Sequence, residues 1–342
     1  MSFAPFLEEL LADEPIAPER VETLFDAIFR GEASEPVVAA VLVALRRHEM
    51  RAEILAATAR SMRKHRRPVS TSRTPLVDTC GTGGDKSGTF NVSTTVAFVM
   101  AGAGASVAKH GNRSNTSKSG SADVLEALGC AIDLSAENAG KALDATGFAF
   151  LFAQTLHPSM KNVAPVRRAL GIRTLFNLLG PLANPAGARR QLLGTFDGAA
   201  TEVMARALLD LGTDDAMVVH CDGLDEVGLH GVTRGHRVRA GAIESFTLSA
   251  ADFGLSAVSI DDLRGGDASE NAQILRSVLG GAPGPRRDVV LANAACALLV
   301  SGLASSLREG VSIAAQVIDS GKATATLEAY AALSRTLRSE AS

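Results

Sequence analysis

The stretch LVDTCGTGGDKSGTFNVSTTVAFV, residues 76–99, decides the fold. It opens on a short apolar run of strand length, Leu76 to Thr79. It then crosses a glycine-rich turn and ends in a helical stretch that runs from Asn91 to Gly102. Strand, turn and helix in that order form half of a βαβ unit, and the texture repeats downstream. Further strands are predicted at Ser106–Ala108, Phe148–Phe152, Gln191–Thr195 and Ala216–His220. Helices are predicted at Ala122–Leu128, Ala136–Thr146 and Thr201–Leu211. The alternation predicts an α/β domain with a mostly parallel central sheet, helices on both faces, and ligands in the loops at the carboxyl ends of the strands.

Upstream of Leu76 the chain reads as helix only. Phe6, Leu7, Leu10 and Leu11 recur at helical spacing. Pro18 can begin a second helix with Val21, Leu24, Phe25 and Ile28 on one face, stopped at Gly31. VVAAVLVAL (37–45) and AEILAATARSM (52–62) continue the pattern. The basic tail RKHRRPVSTSRTP (63–75) reads as a solvated linker. A small helical domain, residues 1–73, is therefore expected before a larger α/β domain, residues 74–342.

Composition narrows the class. The chain has 342 residues, 46% of them apolar, and a net charge of −3. That charge gives no reason to expect nucleic acid as a partner. The four cysteines, Cys80, Cys130, Cys221 and Cys296, are scattered with no CxxC pair, which points to a reduced, cytoplasmic setting. The first residues carry acids and no basic segment before an apolar one, unlike a signal peptide. The longest apolar run, Val289–Ala304, is interrupted by Asn293, Ser301 and Gly302. It is shorter than the ~18 to 20 residues of a membrane span and reads as a buried helix.

The glycine-rich turn carries the first functional signal. Gly81, Gly83 and Gly84 permit positive φ and close approach of a ligand to the backbone. Asn91 is a candidate N-cap, and the free amides of that helix start, with Ser93 and Thr94, make an anion site. The spacing is neither GxGxxG nor GxxxxGKS, so the common nucleotide motifs do not match. Residues 86–122 contain Lys86, Lys109, Arg113 and Lys118 but no carboxylate, although the chain holds 37 acids. The same stretch is dense in short donors, among them Ser114, Thr116, Ser117, Ser119 and Ser121. Cations and hydroxyls together suit a phosphate or pyrophosphate. His110, inside it, reads as support for the fold. Asp225 and Glu226 follow a strand and a turn at Gly223. Alone the pair reads as an exposed turn, and beside a diphosphate it would suit Mg2+. Arg167 and Arg168 lie on a short predicted helix between Val166 and Leu170, and an arginine there can clamp a carboxylate.

These segments together resemble the anthranilate phosphoribosyltransferases. The resemblance rests on GTGGD (81–85), TFNVST (89–94), KHGNR (109–113), SKSGSADVLEALG (117–129), HPSMKNVAPVRRALGIRTLFNLLGPLANP (157–185) and DGLDE (222–226), in that order. It implies transfer of a phosphoribosyl group from phosphoribosyl pyrophosphate to anthranilate, in tryptophan biosynthesis. It also implies a helical domain completed by part of 157–187 and a homodimer formed through the helical domains. Gly81, Gly84, Asp85, Thr89, Asn91, Val92, Ser93 and Thr94 would surround the donor. Lys109, His110, Gly111, Asn112, Arg113, Ser114, Asn115, Thr116, Ser117 and Ser121 would complete that cradle. Ser93, Asp225 and Glu226 would be the magnesium positions. Gly81, Asn112 and Arg167 would contact anthranilate, with Arg167 on its carboxylate. No side chain is expected to act as an indispensable base, because an aromatic amine is already unprotonated at neutral pH. Where the family often has glycine after GTGGD, this chain has Lys86. A pyrimidine-nucleoside phosphorylase shares the expected architecture but has no need of the acidic pair, so metal dependence separates the two readings.

Overall fold

A computed structural model describes residues 2–12, 16–48, 50–85, 87–114 and 118–340. Four helices come first, at Ala4–Leu11, Pro18–Phe29, Glu35–Ala44 and Ala52–Lys64. Each of the first three has proline in its first turn, where the missing N–H costs nothing. Their apolar stripes meet in a core containing Phe6, Leu10, Leu24, Phe25, Ile28, Leu42 and Leu55.

Seven strands follow: β1 (Leu76–Asp78), β2 (Ser106–Gly111), β3 (Phe148–Phe152), β4 (Arg190–Gly194), β5 (Asp215–His220), β6 (Thr233–Arg239) and β7 (Ala242–Leu248). They form one sheet in the order β3-β2-β1-β4-β5-β6-β7. The first five are parallel and the last two add an antiparallel edge. The expected mostly parallel sheet is therefore present, and the β6–β7 hairpin extends it. The chain runs from β1 outward to β2 and β3, then returns to the other side of β1 with β4. The reversal opens a crevice at the carboxyl ends of β1 and β4, where ligands bind in such sheets.

The run read as a buried helix is the helix Pro285–Ser301, buried from Val289 through Leu298. It packs on the helix Val92–Gly102, which follows the glycine-rich loop. Tyr330, the one tyrosine, is buried edge-on to Phe148, and its hydroxyl oxygen accepts the Phe150 N–H at 3.2 Å.

The segment after β3 returns to the helical bundle. Phe176 packs edge-on to Phe25 and Phe29, and Asn162 donates to the Phe29 carbonyl at 3.0 Å. The basic tail is not the solvated linker expected. Arg63 donates to the Leu182 carbonyl at 2.7 Å, and Arg66 to that of Pro185 at 3.0 Å. Lys64 and His65 hold the buried Asp26. The carbonyl and carboxylate partners come from elements distant in sequence, so the charges tie the bundle together.

Candidate active site

The loops after β1, β2, β4 and β5 lie side by side, because those four strands are adjacent and parallel. The loop after β1 is fastened to the end of β4. Thr82 N donates to the Gly194 carbonyl at 2.9 Å, and the Thr82 hydroxyl accepts the Phe196 N–H at 3.0 Å. Gly83 and Gly84 have φ of +65° and +78°, which side chains rarely adopt. Gly81 lies against Asp225: a Cβ there would sit 3.0 Å from its Oδ2.

Three carboxylates meet at this loop. Asp225 Oδ2 accepts the Gly83 N–H at 2.7 Å. Asp85 accepts from Ser87 and, at 3.4 Å, from the Asp225 N–H. Glu226 accepts the Ser93 N–H at 3.2 Å. Burial, and then the charge of Asp85, raise the pKa of Asp225. Burial, and then the charge of Asp225, raise that of Glu226. The pair is thus half-buried and mutually repelling, a cation-seeking arrangement instead of an exposed turn. Among the described residues no group of three or more His, Cys, Asp or Glu side chains is grouped to hold a metal by itself.

The helix start at Val92 differs from expectation. Asn91 occupies the N-cap position, but its side chain does not cap. Its amide instead donates to the Ser119 carbonyl at 3.3 Å and accepts from Asn271 at 3.0 Å. The first amides are not free either: Val92 N donates to Phe90 O, and Ser93 N to Glu226. A protein carboxylate already sits on the positive end of the helix. Val92 is a core residue, and the buried Thr94 hydroxyl has no partner among the described residues.

Lys109 is 1% exposed. Its ammonium donates to the Thr79 carbonyl at 3.0 Å and to the Thr79 and Ser93 hydroxyls at 3.3 Å. Its positive charge also offsets those of Glu226 and the buried Asp78. His110 is buried, with Nδ1 2.9 Å from the Gly180 carbonyl. Burial lowers its pKa to about 4 and that of neighbouring His157 to about 3, so both rings are neutral at physiological pH. The reading of His110 as structural support agrees with this. Gly111 leaves room for Ser121, whose hydroxyl donates to the Asn112 carbonyl at 3.2 Å. Arg113 is engaged by Asp123 and Glu126, at 2.8 and 2.5 Å, just beyond the acid-free stretch. Thr89 forms a bridge with Arg264, which closes the first loop. Ser114 lies on the second loop beside Gly120. Lys86, Asn115, Thr116 and Ser117 fall outside the described residues.

On the helix Ala164–Leu170, Arg167 lies 5.2 Å over the Phe176 ring. It is half-buried, burial lowers its pKa, and its guanidinium has no hydrogen bond or ion pair to a described residue. An uncompensated guanidinium in that setting seeks an anion. Arg173 was not singled out in the sequence, yet it donates to the Gly84 carbonyl at 2.5 Å and stacks on Phe196. Asp78 was also missed. Fully buried, it accepts from the His110 N–H at 3.2 Å and from Asn184 at 2.7 Å, joining the ends of β1 and β2 to the 157–187 segment. A lone acid in the apolar run LVDT was its signal.

Comparison with known proteins agrees with this geometry. Residues 73–324 match the glycosyl transferase family a/b domain, and residues 4–66 match the helical bundle domain of that family. An anthranilate phosphoribosyltransferase of Symbiobacterium thermophilum is 50% identical over 98% of both chains. The crystal structure of the anthranilate phosphoribosyltransferase from Thermus thermophilus superposes with a TM-score of 0.91 at 42% identity, over 96% of this chain and 99% of that one. The Saccharomyces cerevisiae enzyme, in complex with phosphoribosyl pyrophosphate and magnesium, superposes with a TM-score of 0.90 at 28% identity over 98% of each chain. With the fold, the crevice loops and near full-length identity all in agreement, the chain belongs to the anthranilate phosphoribosyltransferase family.

Proposed function

We propose that the chain transfers the 5-phosphoribosyl group of phosphoribosyl pyrophosphate to the amine of anthranilate, giving N-(5-phosphoribosyl)anthranilate and pyrophosphate in tryptophan biosynthesis. The observation that carries the reading is the meeting of Asp85, Asp225 and Glu226 at the glycine-rich loop. Three carboxylates in one crevice repel a bare diphosphate and fit one only together with a divalent cation. Asp225, Glu226 and the Ser93 hydroxyl are the groups that would hold Mg2+. When bound, the ion neutralises charge that builds on the departing pyrophosphate.

The protein's own part is positioning. The loops 81–94 and 109–121 cradle the donor. Arg167 receives the anthranilate carboxylate, and Gly81 and Asn112 line the acceptor. The amine lone pair forms the N–C bond at the anomeric carbon as the C–O bond breaks, its electrons leaving with pyrophosphate and the amine proton passing to solvent. The transition state resembles an oxocarbenium ion. Neutral His110, tied to the Gly180 carbonyl, is not placed as a base, so alignment and charge stabilisation carry the rate.

The same reading divides the chain into residues 1–73, with part of 157–187, and residues 74–342, supported by Phe176 between Phe25 and Phe29. A homodimer through the helical part is supported by its exposed Leu11, Val43 and Met50 side chains. A cytoplasmic location is inferred from four cysteines that stay unpaired. No helix among the described residues is long and apolar enough to cross a membrane.

Mixing the protein with donor, magnesium and anthranilate, and following anthranilate fluorescence, tests the function. Signal loss that needs every component is expected. No turnover with anthranilate or any other aromatic amine would overturn it.

A further inference from the structure

We propose that Asn293 is the positioning residue that sets the acidic pair Asp225 and Glu226 against the start of the helix Val92–Gly102. The inference rests on the reading of that pair as the magnesium and pyrophosphate side of the site. Asn293 is fully buried in the middle of the apolar helix Pro285–Ser301. An unpaired amide there would carry the full desolvation penalty of a buried polar group. It is not unpaired. Its Oδ1 accepts the Val227 N–H at 2.9 Å, and its Nδ2 donates to the Val227 carbonyl at 2.8 Å and to the Val289 carbonyl at 2.9 Å.

The amide therefore pairs with both main-chain groups of the residue that follows Glu226, as a neighbouring strand would. Residues 225–231 lie outside any strand, so no ladder serves Val227 there. The same helix packs on the helix Val92–Gly102, whose first turn bears Ser93. One rigid element thus fixes both partners of the Ser93–Glu226 contact. If Val227 is released, residues 225 and 226 lose their reference to Gly83 and Ser93. Donor binding then falls, while the acceptor side at Arg167 is untouched.

The test compares Asn293→Leu, which removes the amide at similar size, with Asn293→Asp, which keeps the acceptor but loses both donors. Ser301→Ala serves as control, since Ser301 donates only within its own helix, to Leu298 at 2.8 Å. Calorimetry reads binding of phosphoribosyl pyrophosphate with magnesium, steady-state kinetics read both KM values, and amide hydrogen exchange reads Val227. In folded Asn293 variants donor affinity should fall about tenfold or more, equivalent to ~1.4 kcal/mol. Anthranilate KM should stay within about twofold, Val227 should exchange at least about tenfold faster, and Ser301→Ala should change none of these. Unchanged donor affinity, or equal shifts in both KM values, would overturn the proposal. Should both variants fail to fold, exchange in the unaltered protein decides. Protection at Val227 supports the clamp, and exchange there at the rate of an unstructured amide refutes it. A wild-type protein that binds no donor sinks the functional reading instead, and the exchange result still judges the clamp.

Discussion

Replacing Gly194 with alanine tests how the acidic pair is held. Gly194 ends β4, which is hydrogen-bonded to β1 on one side and to β5 on the other, so its backbone cannot yield without breaking the sheet. A Cβ there would lie 1.5 Å from the Asp225 carbonyl oxygen, and real Cβ atoms keep contacts of 3.0 Å or more. The residue that must move is Asp225, by about 1.5 Å from those two distances. Its 2.7 Å bond to Gly83 does not survive a retreat of that size. Misplacement of about 1 Å can cost roughly a hundredfold in rate, so kcat/KM for the donor should fall by about that factor. The variant should require more magnesium for half-maximal rate and keep its anthranilate KM. Overpacking should also cost ~1 to 3 kcal/mol of stability, visible as a lowered thermal midpoint. The assay is donor saturation followed by anthranilate fluorescence at several magnesium concentrations. A folded Gly194→Ala protein with unaltered donor kinetics would refute the role given to this contact.

Other outcomes follow from the same geometry. Arg167→Ala should raise the anthranilate KM about tenfold or more, the loss of a charge-assisted bond of ~1.5 to 3 kcal/mol; a large fall in kcat at unchanged saturation would contradict the carboxylate role. Asp78 is pushed up to about 6 by burial, against ~3.9 when unfolded. Between those values the folded chain keeps a proton that the unfolded chain has lost, so this group makes stability fall as pH rises from about 4 to 6, by up to ~3 kcal/mol. Urea unfolding across that range should show the slope in the wild type and not in Asp78→Asn; parallel curves would refute it. Chelation should abolish turnover, reversibly on adding Mg2+, and leave the thermal midpoint unchanged; a drop in the midpoint would mean that the metal also holds the fold.

The five parallel strands were legible because each contains a short apolar run, and β3 matches at both ends. The β6–β7 hairpin was not. Its first strand, TRGHRVR, alternates with charges because it pairs β5 near a solvated edge, and its turn is Ala240–Gly241 with both φ positive. The loops proposed to hold the donor carry a local signal in glycine, hydroxyl and charge. What failed to show was anything set by neighbours distant in sequence. Asp225 and Glu226 look like a surface turn until Gly81 and Gly194 come against Asp225 and the Ser93 N–H reaches Glu226. Asn91 sits at a helix start, yet Asn271, 180 residues away, claims its amide. Arg113 looks free in an acid-poor stretch until the next helix supplies Asp123 and Glu126.

The burial of Tyr330 has an optical consequence. With no tryptophan and one tyrosine, the protein is nearly dark in the near ultraviolet, where the aromatic acceptor absorbs and emits. Catalysis can therefore be watched through the substrate's own light, without correction for the protein. The single phenol, fixed against Phe148 beside β3, becomes a built-in reporter: its near-ultraviolet dichroism tracks the docking of its own helix, Lys322–Ser339, free of overlap from any indole.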